Sequence, residues 1–369
     1  MTRQLKIVLS GGGTGGHIFP AIAVADEIRR RFPDAEFLFI GANGKMEMEK
    51  IPQAGYAIQG IDISGIDRGN MLSNFGLPFK LLKSVLRTRK ILKDFKPDFA
   101  VGTGGYASGP ALFTASRLGI PVFIQEQNSH AGITNRILSG KAKKVFTAYP
   151  NVNGFPPEKT VFTGNPVRQN IVAGLTDSRT AKEKMGLDPN KLTILSVGGS
   201  LGSATLNDAW KENIGKLAEK DLQLIWQTGK SGYRDLQNDE QLRKLSGALV
   251  QMHEFIADMA LAYSAADVIV SRAGAIAISE LAIAGKPVLL VPFPFAAEDH
   301  QTKNAESLVS MNAAKMVKDS EMKHLFWSAL LELCEKPELR AGMSKNMTAF
   351  SKPEATVQIV DEIFKTLKV

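Results

Sequence analysis

A glycine-rich stretch near the N-terminus is the first place where the chain could do chemistry. "LSGGGTGGHIFPAIAVADEI" (9–28) has five glycines in the six positions 11–16, and His17 follows at once. Bare backbone amides at the start of a helix can bind an anion. A histidine titrates near neutral pH and can accept or relay a proton. The stretch predicts phosphate binding beside a candidate base, although His17 could instead bind phosphate or sugar, or simply pack.

The glycines fit neither of the two common nucleotide-binding motifs. Gly11, Gly13 and Gly16 match G-x-G-x-x-G, but a dinucleotide site also needs an acid at the end of the second strand. That strand, "AEFLFIGANG" (35–44), ends without one, and the Gly-Lys-Ser/Thr of a P-loop is missing. A tight strand-to-helix turn without a ligand stays open as an alternative for this loop taken alone.

Two further glycine turns follow apolar strands, "GTGGYASGP" (102–110) and "GGSLGS" (198–203). Each would present backbone N–H groups near the start of a helix. Together with the first stretch, the chain has two glycine turns in its first half and one in its second. This arrangement predicts two anionic ligands and a transfer between two phosphorylated substrates.

The largest polar constellation lies in "DVIVSRAGAIAISELAIAGKPVLLVPFPFAAEDHQTKNA" (267–305). Glu280 lies in a helix that we expect to start near Ala275, and an ionised carboxylate can accept hydrogen bonds from both ribose hydroxyls. Four polar side chains near the next helix start suit sugar hydroxyls: Asp299, His300, Gln301 and Asn304. The alternatives that involve no ligand are an exposed helix charge for Glu280 and a solvated helix start for Gln301.

Short apolar runs alternate with helical patterns along the whole chain. This alternation predicts an α/β fold of parallel sheets with helices on both faces. The predicted strands are 5–10, 36–41, 98–102, 121–125, 144–147, 160–163, 192–197, 222–227, 248–251, 267–270 and 287–291.

The two halves of the chain resemble each other, because "IVLSGGGTGG" (7–16) and "ILSVGGSLGS" (194–203) share a strand and a glycine turn. We therefore expect two doubly wound, Rossmann-like domains that face each other across a cleft. The predicted bounds are 1–165 and 166–350, with the join near 163–170 and a terminal helix in 351–369 at the domain junction.

Composition restricts the partners. The net charge of +8 and pI near 9.3 favour anionic partners, but nothing resembles an aromatic-rich basic platform for nucleic acid. The single cysteine, Cys334, excludes an intrachain disulfide. No apolar run is long enough to span a bilayer, and we expect no signal peptide.

These motifs together resemble the MurG family of bacterial glycosyltransferases. The resemblance runs in order through almost the whole chain and adds four motifs: "QEQNSHAG" (125–132), "TGNPVR" (163–168), "EFIADMALAYSAADVIVSRAGAIAISELA" (254–282) and "PFPFAAEDHQTKNA" (292–305). It implies the two-domain glycosyltransferase fold of type B.

The resemblance also implies an activity and a place in the cell. It implies inverting transfer of GlcNAc from UDP-GlcNAc to the C4 hydroxyl of the muramoyl sugar of lipid I (MurNAc-(pentapeptide)-pyrophosphoryl-undecaprenol). The product would be lipid II of peptidoglycan synthesis. The enzyme would lie peripherally on the cytoplasmic side of the inner membrane, with possible partners among cell-division or elongation proteins.

The resemblance assigns roles to individual residues. The N-terminal domain would bind lipid I, and the C-terminal domain would bind UDP-GlcNAc. The UDP-GlcNAc contacts would be Thr14, Gly15, Gly16, Asn128, Arg168, Ser200, Ile256, Ala275, Ile276, Glu280 and Gln301. The acceptor diphosphate would meet Gly13, Gly104, Gly105 and Tyr106. One position departs from the family pattern, since Ala277 stands where its best-known members place a threonine.

The chemistry needs a base and a stabilised leaving group. His17 is the first candidate base, and Glu126, which follows the apolar run "VFIQ" (122–125), is the second. No Asp-x-Asp motif is present, so we expect no metal and no cofactor. The leaving diphosphate would instead meet backbone amides, a helix N-terminus and Arg168.

A basic, apolar segment (70–97) predicts contact with an anionic membrane. It contains seven Lys or Arg residues against one acid, Asp94, interleaved with leucines and phenylalanines. The alternative is a helix whose apolar side packs on the sheet and whose cations are merely solvated.

Three other functions remain as alternatives. A UDP-sugar transferase with a different lipid acceptor, such as diacylglycerol, would have a similar donor half, but "GGTGGH" (12–17) and "GTGGYASGP" (102–110) favour the muramoyl lipid. A dinucleotide oxidoreductase lacks its ribose acid, and no sequence feature motivates a non-catalytic sugar-nucleotide sensor.

Overall fold

The computed structural model describes residues 4–63, 77–199, 202–247 and 249–368. The chain divides into two compact units, Met1–Arg168 with Pro353–Val369, and Gln169–Lys352. The division after Arg168 falls inside the predicted join at 163–170.

Within the described residues, the first unit is built on a seven-stranded parallel sheet. Its strands are β1 (Lys6–Gly11), β2 (Glu36–Ala42), β3 (Ala57–Ile61), β4 (Phe99–Gly104), β5 (Val122–Glu126), β6 (Lys144–Thr147) and β7 (Thr160–Phe162). Its first helices are α1 (Gly15–Arg31), α2 (Glu47–Gln53), α3 (Leu77–Phe95), α4 (Ser108–Arg117) and α5 (Ile133–Ser139). The strand order is β3-β2-β1-β4-β5-β6-β7.

The second unit has a parallel sheet that, in the described residues, has six strands. The strands are β8 (Leu192–Val197), β9 (Leu222–Gln227), β10 (Val250–His253), β11 (Val268–Ser271), β12 (Val288–Leu290) and β13 (Lys315–Met316). The helices are α6 (Gln169–Gly174), α7 (Ser178–Lys184), α8 (Ala204–Asn213), α9 (Lys216–Glu219), α10 (Gly229–Leu236), α11 (Glu240–Leu245), α12 (Met259–Ala265), α13 (Ala275–Ala284), α14 (His300–Ser310), α15 (Met322–Glu335) and α16 (Pro337–Phe350). The strand order is β10-β9-β8-β11-β12-β13.

The last helix, α17 (Ala355–Leu367), packs within the first unit. Phe364 contacts Phe99 edge-on at 6.0 Å between ring centroids, and Asp361 forms an ion pair with Arg31 of α1. The apolar face of α17 completes the core around β1, β4 and α1. The position of this helix at the domain junction stays a prediction.

The predicted α/β class is confirmed, and each predicted strand overlaps an observed one. Strands such as Ile7–Leu9 are buried on both faces, which is why they appear as continuous apolar runs. The two sheets share one order, in which the first and fourth strands of each unit are neighbours, β1 with β4 and β8 with β11. The order reverses between these neighbours, and in open α/β sheets ligands bind at that point, beyond the carboxyl ends of the strands.

Candidate active site

Two glycine loops of the first unit, the ones that follow β1 and β4, pack directly on each other. The amide of Gly12 donates to the carbonyl of Gly104 at 3.3 Å. A β-carbon at Gly105 would lie 2.2 Å from the Gly12 carbonyl oxygen, and Gly105 has a φ of +83°. Only glycine permits this close approach. The hydroxyl of Thr103 then donates to the His17 carbonyl at 2.6 Å, which fixes the start of α1 against β4.

The imidazole of His17 is oriented by the first of these loops. Its Nδ1 lies 3.0 Å from the Gly12 carbonyl oxygen and 3.4 Å from Thr14 Oγ1. Since a carbonyl only accepts hydrogen bonds, Nδ1 must carry the proton in the neutral ring, and Nε2 is then the nitrogen that accepts one. Nε2 lies beside the second loop, where a β-carbon on Gly104 would approach it to 3.1 Å.

Glu47, which the sequence analysis did not single out, supports the first glycine loop from behind. Its buried carboxylate accepts from the amide of Gly13 at 2.9 Å and from the amide of Ala42 at 3.0 Å. A β-carbon at Gly12 would lie 2.1 Å from Glu47 Oε1. An acid therefore does follow β2, but its carboxylate binds the backbone of the glycine loop.

This contact bears on the predicted acceptor site. The Gly13 amide already donates to Glu47, so an acceptor phosphate would have to approach beside a carboxylate. Gly15 and Gly16 are better placed for an anion, because they begin α1 and no acidic residue lies in its first turn. Tyr106, at the end of the second loop, is 51% exposed and can reach a ligand in solution.

Glu126 ends β5 and is almost fully buried. Its carboxylate accepts from the amides of Asn128 and Gly132, each at 3.0 Å, and from the side chains of Asn128 at 3.1 Å and Asn135 at 2.9 Å. With four donors on its carboxylate, Glu126 is better suited to holding the loop 127–132 than to acting as a base. The role of Glu126 as a base stays a prediction.

In the second unit, Arg272 ties together the loops that follow β8, β11 and β12. Its guanidinium donates to Ser203 Oγ at 2.6 Å, to the carbonyl oxygens of Val291 and Pro292 at 3.1 Å, and to Asp319. Ser203 caps α8 by accepting from the Leu206 amide at 3.3 Å. Arg272 was not among the predicted site residues.

Gln227, also absent from the sequence predictions, links the glycine turn of the second unit to the segment after β10. Its side chain donates to the Gly199 carbonyl at 2.9 Å and accepts from the Ile256 amide at 2.8 Å. The Ile256 amide is therefore engaged, and the carbonyl is the backbone group of Ile256 that is left for the predicted contact with UDP-GlcNAc.

The helix α13 carries three of the predicted donor residues. It begins at Ala275 and Ile276 after Gly274, and its first turn has no acidic side chain, so its N-terminal dipole favours an anion there. Glu280 lies further along this helix, is 6% exposed and accepts from the Tyr263 hydroxyl at 3.1 Å. This contact orients the carboxylate expected to bind ribose.

Gln301 lies in the first turn of α14, as predicted, and its carbonyl oxygen is shared by two loops. It accepts from the Ala273 amide at 3.1 Å and the Phe293 amide at 3.0 Å. The side-chain amide nitrogen is then the group through which Gln301 can donate to a sugar hydroxyl. Asn304, one turn later, donates to the Ala273 carbonyl at 3.5 Å.

Two predicted residues remain to be located. Ser200 lies outside the described residues, and Arg168 is an exposed residue at the end of the first unit's main segment. Among the described residues, no group of three or more His, Cys, Asp or Glu side chains could hold a metal ion.

Comparison with known proteins identifies the family. Residues 7–147 match the glycosyltransferase family 28 N-terminal domain, and residues 193–359 match the family 28 C-terminal domain. The chain is 47% identical over 366 residues to a protein of Parabacteroides distasonis, with 99% of each chain covered. It is 48% identical to one of Christiangramia forsetii, with 100% of this chain and 99% of the other covered.

Both relatives are named UDP-N-acetylglucosamine–N-acetylmuramyl-(pentapeptide) pyrophosphoryl-undecaprenol N-acetylglucosamine transferase. Among solved structures, the chain resembles MurG of Acinetobacter baumannii with a TM-score of 0.79 and 33% identity, covering 98% of this chain and 99% of the other. The first family model lies within the first unit, and the second covers most of the second unit and extends into the start of α17. The chain belongs to glycosyltransferase family 28.

Proposed function

We propose that this protein transfers GlcNAc from UDP-GlcNAc to the C4 hydroxyl of the muramoyl sugar of MurNAc-(pentapeptide)-pyrophosphoryl-undecaprenol, with inversion at the anomeric carbon. The observation that carries the proposal is the position of His17, held in one tautomer between two interlocked glycine loops. The substrates named for the relatives complete it, because they contain the diphosphates and hydroxyls for which such loops and a base are suited.

The first unit binds the acceptor in this proposal. Nε2 of His17 takes the proton of the C4 hydroxyl as that oxygen bonds to the anomeric carbon of GlcNAc. The bond from this carbon to the diphosphate oxygen breaks with its electron pair, and UDP leaves. Tyr106 and the amides of Gly15 and Gly16 lie where they can meet the acceptor diphosphate or the donor sugar.

The second unit binds the donor. The ribose hydroxyls donate to Glu280, uracil meets the Ile256 carbonyl, and the side-chain amide of Gln301 donates to the GlcNAc hydroxyls. The amides at the start of α13 stabilise the charge that develops on the leaving diphosphate, a role to which Arg168 also contributes. Asn128 of the first unit contacts the donor sugar.

Helix α3 attaches the enzyme to the cytoplasmic face of the cell membrane. Its first turns expose large apolar side chains, with Phe79 78% exposed and Leu82 59% exposed. Lys80 lies between Phe79 and Leu82 in the sequence, and Lys83 follows Leu82. This patch of apolar and basic side chains can therefore insert shallowly while its cations meet anionic headgroups. Residues 70–76 of the predicted segment lie outside the described residues. Binding to cell-division or elongation proteins stays a prediction.

Among the residues that the structure describes, no helix combines the length and the apolar character needed to cross a bilayer.

The test is acceptor-dependent release of UDP. Purified full-length protein should release UDP from UDP-GlcNAc only when a short-chain lipid I analogue is present, and much faster than from UDP-glucose. Glu280→Gln should raise the KM for UDP-GlcNAc. Release that needs diacylglycerol instead of the muramoyl lipid would move the protein to the alternative acceptor class. No transfer to either lipid would overturn the proposal.

A further inference from the structure

A polar cavity of about 470 Å³ lies in the second unit, away from the loops assigned to the donor. It lies at the amino ends of three strands, because Leu192 begins β8, Asp267 precedes β11 and Pro287 precedes β12. The donor loops follow the carboxyl ends of the same strands. The cavity is therefore at the opposite edge of the sheet from the candidate donor site.

The cavity wall is strongly cationic. Lys182, Lys191, Lys286 and Arg340 line it, and Asp267 is the one acidic residue among its lining residues, all of which the structure describes. Four cations against one carboxylate make this a place where an anion lowers the electrostatic energy.

Two of the cations are already paired with carboxylates. Lys182 Nζ lies 2.6 Å from Asp267 Oδ2, and this side chain is only 6% exposed. Lys191 Nζ lies 2.6 Å from Asp221 Oδ1. Within the part of the chain that the structure describes, the positive charges of the other two cations, Lys286 and Arg340, are not balanced by such a pair.

Lys286 and Arg340 are bound only by carbonyl groups among the described residues. Lys286 Nζ donates to the Ser264 carbonyl at 3.2 Å, and Arg340 donates to the carbonyls of Leu333 and Cys334. Carbonyl oxygens satisfy hydrogen bonds but do not neutralise a positive charge. Each side chain also keeps further N–H groups that can donate into the cavity.

The lowered pKa of Lys286 shows that a positive charge is unfavourable at this position of the cavity wall. Burial, and then the charge of Lys182, lower the pKa of Lys286, and the opposite charge of Asp267 offsets the effect only in part. An anion in the cavity would favour the charged amine. A phosphate oxygen is a suitable acceptor for an ammonium, and the guanidinium of Arg340 can bind two such oxygens side by side.

We propose that this cavity is a second anion site, which binds a phosphate or diphosphate group between Lys286 and Arg340. The group can belong to a free phosphate compound or to a lipid headgroup, since both present the same oxygens. Nothing in the proposed transfer reaction uses these residues, so the site would serve binding or regulation.

The first test needs no variant. Full-length protein is saturated with UDP, so that the donor site is occupied, and its lysines are reductively methylated and quantified by mass spectrometry. Pyrophosphate at ten times its Kd should slow methylation of Lys286 about tenfold, while sodium chloride of equal ionic strength should not. An unchanged rate for Lys286 with both pyrophosphate and phosphatidylglycerol vesicles would overturn the proposal. Protection by vesicles alone would assign the phosphate to a lipid headgroup.

A matched set of variants tests the same site by stability. Pyrophosphate should raise the Tm of UDP-saturated wild-type protein by a few degrees. Lys286→Met, which keeps the buried aliphatic stem, and Arg340→Gln should each reduce the shift below that of the wild type, whereas Lys323→Met, at an exposed position of α15, should retain the full shift. A full shift in Lys286→Met would contradict the assignment. If that variant does not fold, the wild-type labelling decides. Methylation is read at Lys286 itself, so failure of the proposed transferase activity would leave this result unaffected.

Discussion

The Nδ1 atom of His17 lies 3.0 Å from the carbonyl oxygen of Gly12, five residues earlier in the chain. The contact exists because Gly12 turns its carbonyl back toward the start of α1 while its amide donates to the carbonyl of Gly104. One loop thus selects the tautomer of the neutral imidazole, and the neighbouring loop flanks the nitrogen that can act as base.

Replacing His17 tests this role. His17→Ala should lower kcat/KM by about 10²- to 10⁴-fold, the usual contribution of a positioned general base, with little change in KM for UDP-GlcNAc. Wild-type activity should fall at acid pH, because a protonated imidazole can no longer accept the proton of the acceptor hydroxyl. That acid limb should be absent in the variant. His324→Ala, at an exposed position in the second unit, is the control. An unchanged kcat/KM in His17→Ala would remove His17 from the mechanism.

Glu126→Gln tests whether Glu126 anchors the loop 127–132 or acts as the base. The new amide group would place N–H groups against the donors that Glu126 now accepts from, so we expect a loss of about 1–3 kcal/mol in the free energy of unfolding. Activity should fall, but the residual activity should keep the wild-type pH profile. Glu158→Gln, at an exposed position of the same unit, should change neither quantity. If the acid limb vanished in Glu126→Gln and persisted in His17→Ala, the two assignments would be reversed.

Glu47→Gln tests the support behind the first glycine loop. The carboxylate binds two backbone amides, and the side-chain amide of glutamine can accept from only one of them. Urea unfolding should show a loss of about 1–3 kcal/mol, and kcat/KM should fall because Gly12 orients His17. The matched control is Glu49→Gln on the exposed side of the same helix. Equal stability and activity in the two variants would show that the loop does not depend on Glu47.

The membrane patch on α3 can be tested at exposed side chains. The ion pair that Lys83 forms with Asp62 at 3.5 Å is itself exposed and contributes little to stability. Phe79→Gln with Leu82→Gln should weaken flotation with phosphatidylglycerol vesicles, and so should Lys80→Glu with Lys83→Glu. Arg87 is left unchanged because it donates to the Gly60 carbonyl at 2.7 Å. Leu325→Gln removes an exposed leucine from the second unit and is the control. Flotation that is indifferent to these changes and to the content of acidic lipid would exclude α3 as the attachment site.

The fold could be predicted because its strands are buried on both faces. Runs such as "KIVLS" (6–10) and "LTILSV" (192–197) need no long-range information to be identified as parallel strands. β3 was missed because the first three residues of its "AIQGI" (57–61) are exposed or half-buried and a glycine interrupts the apolar run, and β13 was missed because it has two residues. The packing of α17 on α1 depends on tertiary contacts that no local pattern encodes.

The candidate site could be predicted only in its local parts. Glycine spacing after a strand identified the loops, and the helix starts identified Glu280 and Gln301. Glu47, Gln227 and Arg272 were not predicted, because each acts on backbone or on side chains brought by other strands. Their partners become visible only when the strand order places those loops side by side.

The most direct test of the central claim is the structure of the product. Purified protein, UDP-GlcNAc and a short-chain lipid I analogue should give one new disaccharide lipid. Its NMR spectrum should show a β-linkage from the anomeric carbon of GlcNAc to C4 of the muramoyl sugar, and formation should depend on His17. An α-linkage, a bond to another hydroxyl, or UDP release without a glycosylated lipid would contradict the account.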